Sequence, residues 1–227
     1  MARAISITVC PDTYHRNPLD TELGRNIIRH SIDLLSEKGF QCFNFKMLAS
    51  SMKSTEASVY RYFENKQMLL VYLTSWYWEY LDYLIMIHTT NIEDPKKRLR
   101  IAIKTIVDGA SHESQLDYIN LKKLHKIIVE QSSKVIKSKK IENCKKQNLF
   151  SNFENLNDNL AKMIISCDSN FKYPSTLATN MLKMAIDHTY YAEHLCSVTE
   201  ITNCMVTKKT QLEEMLVYFV ERLLRIE

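Results

Sequence analysis

The residues best suited to chemistry lie between Asn44 and Lys66, in the run NFKMLASSMKSTEASVYRYFENK. The spacing predicts a helix, a tight turn and a second helix. Asn44 and Lys46 fall at the start of the first helix. Thr55, Glu56, Ser58, Tyr60, Arg61 and Tyr62 fall on or beside the second, and Lys66 stands just beyond it. Hydroxyl, aromatic and basic groups on a compact helix pair are suited to phosphate oxygens and base edges in a DNA major groove. This is the chemistry of recognition, not of bond breaking.

Nothing in the chain points to catalysis. It has no Gly-rich phosphate loop, no GxSxG, no HExxH and no carboxylate pair at a convincing spacing, so an enzyme is not expected. The six cysteines (Cys10, Cys42, Cys144, Cys167, Cys196 and Cys204) form no CxxC pair, and none lies near a His at zinc-ligand spacing. The expectation is free thiols, no metal and no cofactor, in a reduced cytoplasmic protein. No secretory signal is visible. The most apolar stretch, Met68 to His88, is interrupted by Glu79 and Asp82, which argues against a membrane span.

A second constellation has the makings of a small-molecule site. Trp76, Tyr80 and Tyr83 share one face of a helix, with Leu73 and Ile87 extending it. His125, Tyr118, His188 and Tyr191 supply polar tips, and Met184 adds adaptable apolar surface. Apolar area with sparse polar groups suits a hydrophobic or aromatic ligand, so the expected lining is Trp76, Tyr80, Tyr83, His125, Met184, His188 and Tyr191. The competing reading is that these rings and histidines are ordinary core residues. Lys122, Lys123 and Lys126 face either solvent or an acidic ligand.

The elements that position these groups are helical throughout. Only three Gly and four Pro occur in 227 residues, too few for the turns of a sheet-rich fold. A first helix starts near Asp20 or Thr21, buries Leu23, Ile27, Ile28, Ser31, Ile32 and Leu35, and ends at Gly39. Asn44 caps a second helix from Phe45 to about Met52, Thr55 or Ser54 a third, and Asn65 a fourth from Lys66 to roughly Ile87. Asp94-Pro95 opens the next. Further helices are expected from about Glu113 to Val135, around Leu149 to Met163, from Pro174 to about Cys196 and from Thr207 to Arg225. Residues 1–20 lack a helical period, and a mobile or loosely packed arm is expected there.

The net charge of +4 permits a nucleic-acid partner without demanding one. The basic excess is concentrated in residues 95–146, with 14 Lys and Arg against 5 Asp and Glu, and so lies outside the helix-turn-helix candidate.

The segments Ile27-Ile28-Arg29-His30-Ser31-Ile32-Asp33-Leu34-Leu35-Ser36-Glu37-Lys38-Gly39-Phe40 and Asn44 to Lys66 together resemble the DNA-binding domain of TetR-family (TetR/AcrR-type) transcriptional regulators, over about Leu23 to Leu73. The resemblance implies an all-α chain in three parts: an arm (1–20), a three-helix helix-turn-helix DNA-binding domain (21–66), and a C-terminal helical effector-binding and dimerisation domain (67–227). It implies a ligand-responsive homodimer, usually a repressor, assembled through residues 174–197 and 207–226. Its partners would be double-stranded operator DNA and a small effector. By the same resemblance Asn44 and Lys66 meet phosphate, Lys46 lies beside Asn44, and Ser58 and Tyr60 touch bases and backbone. Tyr62 replaces a common His. The chain departs from the family at Lys53, where Gly is favoured, at Ser54, where an apolar residue is favoured, and at Glu56, where a basic residue is frequent. Glu56 repels phosphate but can accept from cytosine N4. The alternative is a sensor or protein-interaction dimer that keeps the fold while DNA binding has decayed.

Overall fold

The computed structural model describes residues 7–109, 117–136, 148–204 and 207–226. Among them are nine α-helices and no strand: α1 (Glu22–Cys42), α2 (Phe45–Ser51), α3 (Glu56–Tyr60), α4 (Lys66–Thr89), α5 (Pro95–Asp108), α6 (Leu121–Ile136), α7 (Ser151–Cys167), α8 (Pro174–His194) and α9 (Lys208–Leu224). The all-helical expectation holds. The expected helix start at Glu113, Ala110 and most of the 137–148 connection lie outside the described residues.

Local cap chemistry explains most boundaries. Thr21, Asn44, Thr55 and Asp94 each accept a backbone N–H of the helix that follows, satisfying donors the helix itself leaves unpaired. Asn65 does the same for α4 through the amides of Gln67 and Met68. The first helix does not end at Gly39 as expected. Gly39 turns to φ 72°, ψ 162° and kinks the chain, and helical structure resumes to Cys42. Only Gly adopts that conformation at no steric cost.

Compact packing divides the chain into two units, cutting it differently from the linear three-part division. The first comprises residues 1–79 and 110–152, the second residues 80–109 and 153–227.

In the first unit, Ile27, Ile28, Ile32 and Leu35 of α1 are buried with Leu48, Val59, Phe63 and an α4 segment that is buried all round from Met68 to Trp78. Three bonds join α6 and its approach to α1. Lys123 Nζ pairs with Asp33 Oδ1 at 2.6 Å, Lys126 Nζ donates to the Ser36 carbonyl, and Arg29 Nε donates to the Asp117 carbonyl. Two of the three lysines expected on a solvent or ligand face are therefore structural; Lys122 is exposed.

The arm is packed over its described part, contrary to expectation. Ile7, Val9, Thr13 and Pro18 are buried, the His15 amide donates to the Tyr62 carbonyl, and Asn152 Nδ2 donates to the Thr8 carbonyl and to Glu79. Arg3 and Ala4 to Ser6 lie outside the described residues. The approach of Pro18 to α1 explains Gly24: a Cβ there would meet the Pro18 carbonyl oxygen at 2.2 Å. Aperiodic residues carry no helix signal, yet turns closed by Asn17 and Thr13 hold them against the core.

In the second unit, Leu177, Ala178, Met181 and Leu182 of α8 are buried along with Leu212, Leu216, Val220 and Leu224 of α9 and Leu99, Ala102, Ile103 and Ile106 of α5. Arg100 pairs with Glu221, and Lys104 reaches Asp108 and Glu213. Tyr218, Phe219 and Leu223 of α9 are largely exposed. No described helix is long and apolar enough to cross a membrane.

Candidate nucleic-acid interface and ligand cleft

The helix-turn-helix is built on two caps and a tight turn. Asn44 Oδ1 accepts from the Met47 amide at 2.9 Å, which starts α2 and leaves the rest of the Asn44 side chain exposed. Phe45, Leu48 and Ala49 face inward, and Lys46 faces out. The Ser54 amide donates to the Ala49 carbonyl at 2.9 Å and closes the turn. Lys53 sits within it at φ 52°, a conformation that costs a non-glycine residue about 1–2 kcal/mol. The departure from Gly at this position therefore carries backbone strain.

Thr55 Oγ1 accepts from the Ser58 amide and shares a 2.9 Å hydrogen bond with the Ser58 hydroxyl. The α3 register then sorts its residues. Val59, Tyr62 and Phe63 are buried; Thr55, Glu56, Ala57, Tyr60 and Arg61 are exposed. Tyr60 is 49% exposed and stands edge-on to Phe45 with ring centroids 5.0 Å apart. Packing holds the ring while about half of the residue remains exposed. Asn44, Lys46, Thr55, Glu56, Tyr60 and Arg61 thus form one exposed set, with Ser58 half-buried beside them.

Two residues expected on this surface are not available to it. Tyr62 is 1% exposed, its hydroxyl lies 2.7 Å from Thr21 Oγ1, and the Arg16 guanidinium covers its ring. It ties the end of the motif to the cap of α1. Lys66 points its ammonium at the carbonyls of Phe40, Gln41 and Phe43, at 3.0, 3.3 and 2.9 Å. An ammonium has three donors, and these are the carbonyls a helix leaves open at its C-terminus. Lys66 caps α1, with no donor left over for phosphate.

The seven residues expected to line a ligand pocket are divided between the two units. Trp76 and His125 belong to the first unit; Tyr80, Tyr83, Met184, His188 and Tyr191 belong to the second. Trp76 is fully buried and Tyr80 nearly so. His125 Nδ1 shares a 2.8 Å hydrogen bond with the Tyr77 hydroxyl, and His188 Nδ1 one of the same length with Thr199. Tyr191 is edge-on to His188.

A cleft of about 700 Å³ opens elsewhere in the second unit. Its polar residues are Asp82, Arg98, Asn159, Lys162 and Ser166, with Thr89, Thr90 and Asn91 from the end of α4, and its apolar ones are Ile85, Met86, Ile92 and Met163. None of the seven expected residues lines it. Asn159 Nδ2 donates to both Asp82 oxygens, at 3.1 and 3.0 Å. Burial pushes the Asp82 carboxyl above its ordinary value, while the Asn159 bond and the Lys162 charge pull it back. Arg98 Nε is buried with no hydrogen-bond partner. The available signal was Asp82 itself, an acid interrupting the most apolar helix; Arg98 stood in a basic run indistinguishable from a solvated face. Among the described residues, no three His, Cys, Asp or Glu gather as a metal site.

Residues 27–73 match the family described as bacterial regulatory proteins, tetR family. Solved structures resemble nearly the whole chain. A putative TetR-family transcriptional regulator from Rhodococcus sp. is 10% identical, with 90% of this chain and 100% of that chain covered and a TM-score of 0.65. The fatty acid degradation regulator FadR from Bacillus halodurans is 12% identical, with 85% and 93% covered and a TM-score of 0.60. AibR, in complex with isovaleryl coenzyme A and operator DNA, is 15% identical, with 87% and 97% covered and a TM-score of 0.58. At these identities the likeness establishes the fold. No curated protein sequence matches the chain.

Proposed function

With residues 27–73 in the tetR family of bacterial regulatory proteins and the chain in a TetR-like fold, we propose that this is a dimeric, ligand-responsive DNA-binding regulator that represses transcription. Proteins of this family are non-enzymatic transcription factors. The observation that carries the reading is the sorting of α3. Its inward side locks the motif together, and its outward side offers Thr55, Glu56, Tyr60 and Arg61. Asn44, Lys46 and Arg61 would hold phosphates, and Thr55, Glu56, Ser58 and Tyr60 would read or approach base edges.

Dimerisation through residues 174–197 and 207–226 is supported by apolar groups left outside in the single chain: Tyr190, Leu195, Tyr218, Phe219 and Leu223. Two such helices from each protomer make a four-helix bundle. The effector reading is supported by the solved relative that holds isovaleryl coenzyme A together with operator DNA. Release requires that the ligand favour a conformation whose two recognition helices no longer match successive major grooves.

A second reading, a sensor or interaction dimer with decayed DNA binding, draws support from Glu56 at the first turn of α3, the strain at Lys53 and the diversion of Lys66 to capping. Selection from a random duplex library, combined with light scattering, separates the two. The regulator reading expects a dimer and an enriched two-fold-symmetric sequence. A dimer that enriches nothing favours the sensor reading, and a monomer at micromolar concentration removes both.

A further inference from the structure

The cleft of the second unit combines three properties. It has the volume of a small-molecule site, about 700 Å³. It is lined by two cations, Arg98 and Lys162, and the Nε of the first is buried with no hydrogen-bond partner. It also sets those charges against apolar surface from Ile85, Ile92, Met163 and Met86, the last 57% exposed.

We propose that this cleft binds a small amphipathic anion, with the negative group on Arg98 and Lys162 and the apolar body on Ile85, Met86, Ile92 and Met163. The guanidinium is a rigid fork of donors that matches the oxygens of a carboxylate or phosphate, and Lys162 adds a second positive charge to the same lining. Methionines adapt to the shape of whatever covers them, and covering them removes apolar area from water. Asp82 is the one acid in the lining. Both its oxygens are engaged by Asn159, and Lys162 offsets its charge, so it does not leave the cleft acidic. A hydroxyl or amine elsewhere on the ligand would find Asp82 as acceptor.

The inference deepens the ligand-responsive reading but is tested apart from it. The full chain is titrated calorimetrically with octanoate, octyl phosphate, octanol and octylammonium. At least one of the two anions should bind about tenfold more tightly than octanol, and their ratio tells a carboxylate site from a phosphate site. Arg98→Gln should weaken the anion about tenfold while leaving octanol unchanged. Lys162→Gln, on an exposed side chain that does not threaten folding, should weaken it about threefold. Preference for octylammonium, equal binding of octanol, indifference of the anion to both substitutions, or no binding by a normally folded protein would overturn the proposal. Operator affinity is measured in parallel. Anion binding that leaves it unchanged would sustain the cleft and remove this ligand's regulatory role; loss of binding to all four probes would remove the cleft and leave the regulator reading standing.

Discussion

The ammonium of Lys66 lies 2.9 Å from the carbonyl oxygen of Phe43 and donates to it. The same nitrogen reaches Phe40 and Gln41, so the first residue of α4 closes the end of α1. A cation at a helix C-terminus also meets the negative end of its dipole. The position that resemblance assigns to phosphate therefore works here as a joint between the helices that frame the motif.

Lys66→Ala should accordingly destabilise the chain by about 1–3 kcal/mol, because three carbonyls lose a charged donor. Urea unfolding measures this. The slope of operator affinity against salt should stay as it is in the wild type. Unchanged stability with a slope reduced by about one phosphate contact would return Lys66 to the DNA.

The Thr21–Tyr62 hydrogen bond predicts a coupled pair. Tyr62→Phe should cost about 1 kcal/mol and Thr21→Ala about 1–2, since Thr21 also caps α1. In a double-mutant cycle the two losses should fall short of additive. Strict additivity would mean that the bond contributes nothing.

What could be read in the sequence follows the range of the forces involved. Caps at Thr21, Asn44, Thr55, Asn65 and Asp94 act within three residues, so spacing alone reveals them. Most of the buried stripe of α1, Ile27, Ile28, Ser31, Ile32 and Leu35, follows from helical period. Tyr62 and Lys66 were misplaced because their roles depend on partners 41 and 23 to 26 residues away. The arm was read as loose because its anchors, Tyr62 and Asn152, are also far away in sequence. The cleft was invisible for the same reason: its lining joins residues 82–98 to residues 159–166. Aromatic clustering on α4 pointed instead to Trp76 and Tyr80, which are core.

Tyr72 offers a cleaner energetic test. Its hydroxyl is buried without a hydrogen-bond partner, and burial holds its pKa far above the usual tyrosine value. Tyr72→Phe keeps the ring contacts to Tyr14 and Phe63 and removes the unsatisfied group. Stability should be unchanged or raised by up to about 1–3 kcal/mol. A clear loss in thermal unfolding would show that the hydroxyl has a partner in solution.

Asp82 predicts a pH dependence of stability. Burial raises its carboxyl above the ordinary 3.8, so the folded chain holds the proton more tightly than the unfolded chain does. Its contribution is present below about pH 4 and is lost as pH rises through the folded value. Asp82→Asn keeps an acceptor for Asn159 and removes the titration. The stability difference between variant and wild type should grow in the variant's favour as pH increases from about 4 to 7. A constant difference over that range would place Asp82 in water.

The most direct test of sequence-specific DNA binding is fluorescence anisotropy of the protein on a selected operator and on a scrambled duplex, from about 50 to 200 mM salt. The expected result is an operator affinity on the order of a thousandfold above the scrambled duplex. The slope against salt should fall by about one unit for each of Lys46→Ala and Arg61→Ala, while Glu56→Ala changes which base is preferred. Equal affinity for both duplexes at every salt concentration, unaltered by these three substitutions, would contradict it and leave a protein that keeps the fold without reading DNA.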